Sequence, residues 1–148
     1  MNVLYVFGPN LGALGTRDPE TYGGETLAEI TDAVERRAVE IGHVVTWRQS
    51  NHEGELVDFL HQHMDSAAGG ILNPAGLTQY SVSLHDAIKA MPFPMAEVHM
   101  SNIAAREEWR HHSIISPAVK GTVQGFGWRS YTSALRAIVD IAREAKKA

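Results

Sequence analysis

The sequence has no cysteine, few basic residues and no long apolar run. Without cysteine, neither a disulfide framework nor a thiolate metal site can form, and an intracellular, cytoplasmic location is expected. The 13 Lys and Arg are outnumbered by 17 Asp and Glu, giving a formal charge of -4, which argues against a nucleic-acid surface built on phosphate contacts. No apolar stretch approaches the roughly 18 residues that span a membrane, and no charged-then-apolar leader is found, so neither membrane spanning nor secretion is expected.

Several binding motifs are missing as well. Among the histidines, His61 and His63 are two residues apart on a predicted helix, His111 and His112 are adjacent, and no His-Glu-x-x-His occurs. The glycines near the N terminus match neither Gly-x-x-x-x-Gly-Lys-Ser/Thr nor Gly-x-Gly-x-x-Gly. We therefore expect no catalytic metal, and a nucleotide site has little support.

The sequence does contain a regular alternation of strand-like and helix-like segments. The predicted strands cover residues 3–6, 43–48, 70–73, 95–100 and 119–124. The predicted helices cover residues 26–42, 53–63 and 81–91, and a last one follows residues 125–127. In this last helix the expected inward-facing residues are Tyr131, Leu135, Ile138 and Ile141, followed by a fraying tail at 144–148.

Such alternation requires crossover connections between strands, which predicts a parallel sheet with helices on both faces. The first helix also carries a capping box, formed by Thr26 and Glu29, and Gly42 is placed to end it. No shift in composition divides the 148 residues. The prediction is one domain covering residues 1–148, with a flavodoxin-like, doubly wound, five-stranded parallel sheet in three αβα layers.

A long segment, residues 7–23 with the sequence FGPNLGALGTRDPETYG, follows the first strand. It is rich in glycine and proline, and its polar side chains include Asn10, Arg17, Asp18 and Tyr22. Loops of this length without structure of their own are usually functional or disordered. We expect a mobile lid over a small-molecule site, with an ordinary surface loop as the alternative.

Ligands of open α/β sheets bind outside the carboxyl ends of the strands, where the strand order reverses. The loops after the first, third and fourth strands should therefore deliver polar groups to one edge of the sheet. Those groups are Asn10, Arg17, Tyr22, Asn73, Thr78, Gln79, His99, Ser101 and Asn102.

Two pairs among these segments could supply a base and an acid. A phenol is a poor base at neutral pH unless a cation stabilises its anion, and Arg17 could do this for Tyr22. Glu97 and His99 lie two residues apart on a strand, so their side chains project from the same face and the carboxylate could keep the imidazole protonated. The alternatives are a Tyr22 that only packs beside a solvated Arg17, and a structural histidine.

A pair of arginines lies in the polar stretch 101–116, which is predicted to be part loop and part short helix. Arg106 and Arg110 are four residues apart, so both can face one side of a short helix. One of them could reach a carboxylate on a ligand. A solvated surface pair beside Glu107 and Glu108 is the alternative.

Several of these motifs together resemble a known family. They are GPNLGALGTRDPETYG, the Asn73-Pro74 turn with Ser81-Val82 and Asp86 downstream, EVHMSN at 97–102 and AREEWRHHS at 105–113. In order and spacing, over nearly the entire chain, they look like the motifs of type II 3-dehydroquinate dehydratase. The resemblance implies a flavodoxin-like fold, no cofactor and a homododecamer of four trimers. It also implies dehydration of 3-dehydroquinate to 3-dehydroshikimate by anti elimination through an enolate, in aromatic biosynthesis or quinate breakdown.

The resemblance also implies roles for individual residues. Tyr22 would abstract the proton alpha to the ketone while Arg17 holds it ionised, and Asn10 would help hold the water that stabilises the enolate oxygen. His99 would protonate the departing hydroxyl, with Glu97 as its partner. The implied substrate-binding groups are Asn73, Gln79, the backbone around Met100 and Ser101, Arg110, and Asp86 reaching a neighbouring subunit's site.

Some positions depart from the family's pattern. Gln79-Tyr80 replaces the usual His-Thr, Phe7 replaces a common asparagine, Asp18 stands where glutamate is frequent, and His85 stands where another basic residue often precedes the aspartate. Gln79 can hydrogen-bond a hydroxyl but carries no charge, so a divergent dehydratase for a related cyclic beta-hydroxy ketone is one alternative. A non-catalytic flavodoxin-like binding module is another. The combination of base, arginine and acid disfavours the module, because a binder needs no matched pair.

Overall fold

The computed structural model describes residues 1–148, and its sheet has five parallel strands. The strands are β1 Asn2–Phe7, β2 Val44–Gln49, β3 Gly69–Asn73, β4 Met95–His99 and β5 Gly121–Gln124. Their order in the sheet is β2-β1-β3-β4-β5, so the direction of winding reverses between β1 and β3. The predicted flavodoxin-like parallel sheet is confirmed, and the reversal lies where ligands of such sheets bind.

The three inner strands, β1, β3 and β4, are buried along nearly their whole length, as strands of parallel sheets covered on both faces usually are. In β1, Val3 and Tyr5 join the core on one side of the sheet while Leu4 and Val6 join the core on the other side. This division follows from the alternation of side chains along a strand. The outer strand β2 is half-exposed along its length.

Helices cover both faces of the sheet. They are α2 Leu27–Glu40, α3 Glu53–Gln62, α4 Val82–Lys89 and α5 Arg129–Lys147, with a four-residue helix α1, Pro19–Tyr22, before them. The side chains of α2 and α5 fill one core, and those of α3 and α4 fill the other. None of these helices has both the length and the apolarity that crossing a bilayer requires.

The ends of the helices follow the predicted signals with one exception. Thr26 Oγ1 accepts from the Glu29 backbone N–H at 3.2 Å, and Glu29 Oε2 accepts from the Thr26 N–H at 3.2 Å, so the capping box is present. Gly42 follows α2 with a φ of 78°, a left-handed conformation that favours glycine. The prediction of a fraying tail at 144–148 is wrong, because α5 continues through Lys147.

The interior of α5 agrees largely with its periodicity. Tyr131 and Leu135 are fully buried and Ile138 is nearly so, whereas Ile141 is only half-buried and Ala142 takes the core position beside it. Positions 131, 135, 138 and 142 follow the 3.6-residue period of the helix, so the buried face reaches Ala142 rather than Ile141.

The segment 7–23 has more regular structure than predicted. A 3-10 turn at Leu11–Ala13 and the helix α1 divide it, and Leu11 and Leu14 are buried in the core below. Pro19 opens α1, where the fixed φ of proline suits the first helical position. The stretch 101–116 is part loop and part short helix, as predicted, because it contains 3-10 turns at Ile103–Ala105 and Glu108–Arg110.

Candidate active site

A cavity of about 200 Å³ opens at the carboxyl edge of the sheet, where the loops after β1, β3 and β4 meet. Most of the predicted site residues line it. These are Asn10, Arg17, Tyr22, Asn73, Gln79, His99, Met100, Ser101 and Arg110. Further lining residues, which the sequence did not single out for the site, include Pro9, Leu11, Ile103 and Trp109.

The loops that follow β1 and β3 approach each other closely beside this cavity. The Gly8 N–H donates to the Asn73 carbonyl oxygen at 2.8 Å, and a Cβ on Gly8 would overlap the carbonyl oxygen of Pro74. Asn10 follows in a left-handed conformation with a φ of 68°, and its N–H donates to Asn51 Oδ1 at 3.0 Å. Asparagine tolerates this backbone conformation better than most residues. The start of segment 7–23 is therefore fixed to the ends of β2 and β3.

Tyr22 lies between two guanidinium groups at the end of α1. Arg106 Nη1 donates to Tyr22 Oη at 2.9 Å, and Arg17 Nη2 donates to the same oxygen at 3.5 Å. The Cζ atoms of Arg17 and Arg106 lie 4.7 Å and 5.2 Å from the centroid of the phenol ring. Two cations at this range stabilise a phenolate, so the arrangement suits a base.

The sequence predicted Arg17 as the partner of Tyr22 but missed Arg106 in that role. Arg106 was identified only as one of two arginines that could meet a ligand carboxylate. Its side chain also lies 3.4 Å from Ser101 Oγ and is 17% exposed, so it is partly withdrawn from water. The four-residue spacing to Arg110 and the motif AREEWRHHS were the signals in the sequence that could have directed attention to it.

His99 and Glu97 form a buried pair on β4. The His99 Nε2 atom lies 2.6 Å from Glu97 Oε1, and the two side chains are 8% and 0% exposed. Ser113 and Ser116 also donate to the Glu97 carboxylate, at 2.8 Å and 2.5 Å for their shortest contacts. Burial alone would raise the pKa of Glu97, but the hydrogen bonds from His99, Ser116 and Ser113 outweigh it and hold the pKa below its ordinary value. Glu97 is therefore ionised and can orient an imidazolium.

Asn73 is fixed by a hydrogen bond that the sequence could not reveal. Its Nδ2 donates to Tyr131 Oη at 2.8 Å, and its Oδ1 accepts from the Ala75 N–H at 3.0 Å. Burial raises the pKa of Tyr131 far above its ordinary range, so this hydroxyl stays neutral. One Nδ2 hydrogen of Asn73 remains for a ligand.

The opposite wall is formed by Gln79 and the turn that carries Arg110. Gln79 Nε2 donates to the Arg110 carbonyl oxygen at 3.2 Å, which leaves Gln79 Oε1 as an acceptor. Arg110 stacks on Trp109, with Cζ 4.0 Å from the ring centroid, and its Nε donates to Glu107 Oε2 at 2.7 Å. The guanidinium is thus held at the rim with donors still available.

Four predicted residues, Thr78, Asn102, Glu97 and Asp86, lie outside the cavity lining. Glu97 sits behind His99 and acts on the cavity only through it. Asp86 is exposed on α4, where its Oδ1 lies 2.9 Å from His85 Nδ1, and it does not reach the cavity of its own chain. A role for Asp86 in a neighbouring subunit's site stays a prediction. No group of three or more His, Asp or Glu side chains is arranged to hold a metal ion.

Comparison with known proteins gives one consistent result. The family model "Dehydroquinase class II" matches residues 1–139. The 3-dehydroquinate dehydratase of Rhizobium meliloti is 50% identical over 144 residues, covering 97% of each chain. Among solved structures, the type II dehydroquinase of Butyrivibrio crossotus superimposes with a TM-score of 0.92 at 32% identity, covering 94% of this chain and 97% of that one. The type II dehydroquinase of Propionibacterium acnes does so with a TM-score of 0.88 at 37% identity, covering 96% of each chain.

Proposed function

The chain belongs to the class II dehydroquinase family, and we propose how its cavity performs the reaction of that family. The enzyme is a lyase that dehydrates 3-dehydroquinate to 3-dehydroshikimate, a step of the shikimate pathway. One observation carries the assignment of residues. A tyrosine held by two guanidinium groups and a histidine held by a buried carboxylate line the same small cavity.

In the first step, Tyr22 acts as a phenolate base and takes the proton from the carbon alpha to the ketone. The electrons of the broken C–H bond move toward the carbonyl oxygen and form an enolate. Arg17 and Arg106 offset the charge of the phenolate before the transfer. Asn10, at the cavity wall, helps hold the water that stabilises the enolate oxygen.

In the second step, the enolate re-forms the ketone and expels the beta hydroxyl, which takes a proton from His99 and leaves as water. Tyr22 is then protonated and His99 neutral, so a proton must return to the histidine and leave the tyrosine before the next cycle. Glu97 keeps the imidazole charged until the transfer. Because acid and base come from separate segments, they can act on opposite faces of the ring, as anti elimination requires.

The remaining polar groups suit a ring that carries hydroxyls and a carboxylate. Arg110 can meet the carboxylate or a hydroxyl, and Gln79 offers an acceptor to a hydroxyl. Asn73 offers one amide hydrogen, and the backbone at Met100 and Ser101 completes the wall.

A spectrophotometric assay of enone formation from purified 3-dehydroquinate tests this function directly. Turnover by the wild-type protein is the expected result. A folded protein that binds 3-dehydroquinate without forming the enone would contradict the assignment. Faster turnover of a related cyclic beta-hydroxy ketone would instead indicate that the neutral Gln79 has changed the substrate.

We also propose that the chain assembles as a homododecamer in which Asp86 completes a neighbouring site. Asp86 lies on α4 close to Tyr80 and Val82, which are 64% and 63% exposed although large and apolar. Light scattering should give twelve times the 16.2 kDa of one chain, and Asp86→Ala should lower activity at unchanged mass. The cytoplasmic location stays a prediction from the sequence, which cell fractionation would test.

A further inference from the structure

We propose that Ser113 and Ser116 are positioning residues for the acid, because their hydroxyls hold the Glu97 carboxylate in the orientation that fixes His99. The inference rests on the proposed reaction at this cavity. Both serines lie outside the cavity lining and touch neither the substrate space nor the imidazole directly. Their effect on the reaction would pass entirely through Glu97.

The first step of the argument concerns the directions of the hydrogen bonds. Ser113 Oγ lies 2.8 Å and 3.1 Å from the two carboxylate oxygens of Glu97, and Ser116 Oγ lies 2.5 Å from Oε2. Ser113 Oγ also accepts the backbone N–H groups of Ile115 and Ser116, at 3.1 Å and 3.0 Å. Because those two bonds occupy its lone pairs, the hydroxyl hydrogen of Ser113 must point to Glu97.

The second step concerns the tautomer of His99. An ionised carboxylate only accepts, so the close contact at Glu97 Oε1 requires a hydrogen on His99 Nε2. The other ring nitrogen, Nδ1, has no protein partner, and no side-chain nitrogen that lacks a partner is fully buried. Nδ1 is therefore the atom open to the cavity. When the imidazolium gives its Nδ1 proton to the departing hydroxyl, the neutral ring keeps the Nε2 hydrogen on Glu97.

The third step concerns the segment that carries the serines. Residues 106–116 include Arg106, which donates to Tyr22, as well as both serines that donate to Glu97. One stretch of chain therefore holds the base directly and the acid through its carboxylate. A shift of this stretch would disturb both, which links the two halves of the reaction.

Substitution of either serine would disturb the position of Glu97, but the two substitutions differ in how much they would also disturb local folding. Ser113 also closes the turn by accepting two backbone N–H groups, so its removal would affect local structure. The only side-chain hydrogen bond of Ser116 is the one to Glu97. Ser116 therefore provides the cleaner test.

In Ser116→Ala, kcat should fall roughly tenfold while KM changes by less than about twofold, as expected for loss of one hydrogen bond to a charged group. The acidic limb of the kcat profile should move up by about one pH unit, because a carboxylate with fewer donors is protonated more easily. His99 is the titratable group that faces Glu97, but it must be protonated to act as the acid, so the shift of this limb reports on Glu97. Ser116→Thr should restore both values. Ser133→Ala, on the exposed side of α5, is the matched control.

An NMR measurement that does not depend on turnover tests this inference independently of the proposed function. In protein labelled with ¹⁵N histidine, with the His99 signal identified by its loss in His99→Gln, the neutral ring should carry its hydrogen on Nε2. The pH midpoint of this signal should shift in Ser116→Ala and return in Ser116→Thr. A wild-type Nδ1–H tautomer, or a Ser116→Ala protein with the midpoint and kcat profile of the Ser133→Ala control, would overturn the proposal. Should the alanine variant not fold, Ser116→Cys, whose thiol is a weaker donor, takes its place and should shift the midpoint in the same direction.

Discussion

The proposed base and the proposed acid are held in different ways. Tyr22 is half-buried, at the end of a four-residue helix, and is held by arginines from two loops. The side chain of His99 is 8% exposed, lies on the inner strand β4, and contacts the Glu97 carboxylate, which is 0% exposed. The proposed base is therefore stabilised mainly by the charges of two arginines in partly exposed loops. The proposed acid is held instead by the geometry of a buried hydrogen bond.

This difference predicts different sensitivities. Interactions between exposed charges weaken with salt and tolerate small displacements, because they vary slowly with distance. Buried hydrogen bonds are little screened, but a lost partner leaves a polar group unsatisfied at considerable cost. Changes on the base side should therefore act mostly on turnover, and changes behind the acid should act on stability and pH dependence as well.

The largest effect is expected from Tyr22→Phe, which removes the proposed base. We expect kcat to fall at least about a thousandfold, the upper part of the range for loss of a proton-transfer group. Binding of the product should persist because the ring still packs between the arginines. Ser133→Ala, on the exposed side of α5, is the control. Turnover near the wild-type level in Tyr22→Phe would remove Tyr22 from the base role.

The next largest effect is expected from Arg106→Gln. The contact to Tyr22 Oη is 2.9 Å for Arg106 and 3.5 Å for Arg17, so the loss of Arg106 should cost more. A charge-assisted bond of this kind corresponds to about a hundredfold in kcat, measured at saturating substrate. Arg136→Gln, on the surface of α5, serves as the control. A larger loss in Arg17→Gln than in Arg106→Gln would reverse the proposed order of the two cations.

How much of the fold could be predicted depended on the length and regularity of each element. Strands and long helices produce periodic patterns, so the five strands and the helices α2 to α5 were found within a few residues. The helix α1 was missed because four residues are about one turn and create no period. The end of α5 was missed because a charged, exposed last turn looks like a frayed tail.

In the candidate site, contacts between residues close in sequence could be predicted and contacts between distant residues could not. Glu97 and His99 could be paired because strand geometry puts residues two apart on one face, and Tyr22 and Arg17 are close in sequence. The contact of Arg106 with Tyr22 joins residues 84 apart, and no local rule predicts it. Such contacts depend on how loops fold back over the sheet edge.

An intermediate effect is expected from Glu97→Gln, through stability. The pKa of Glu97 in the folded protein lies below the ordinary 4.5, so its ionisation stabilises the fold above that pH and this contribution is lost as pH falls through the folded value. The variant should be less stable by about 1–3 kcal/mol at neutral pH. In urea unfolding at fixed protein concentration, the difference in unfolding free energy between wild type and Glu97→Gln should become smaller as the pH is lowered. Glu108→Gln, which changes an exposed carboxylate, should show no such convergence.

The smallest effect is expected from Glu107→Gln, on the exposed side of the arginines. Glu107 accepts from Arg110 Nε at 2.7 Å and lies 3.8 Å from Arg106 Nε, and hydrogen bonds from its own backbone and from Arg110 hold its pKa below the ordinary value. Because this carboxylate is exposed, its loss should change kcat and KM by less than about threefold, and the change should fade between about 0.05 M and 0.5 M salt. Steady-state kinetics at both salt concentrations provide the measurement. A salt-independent change of tenfold or more would mean that the base side, like the acid side, relies on fixed geometry, and the contrast between the two would fail.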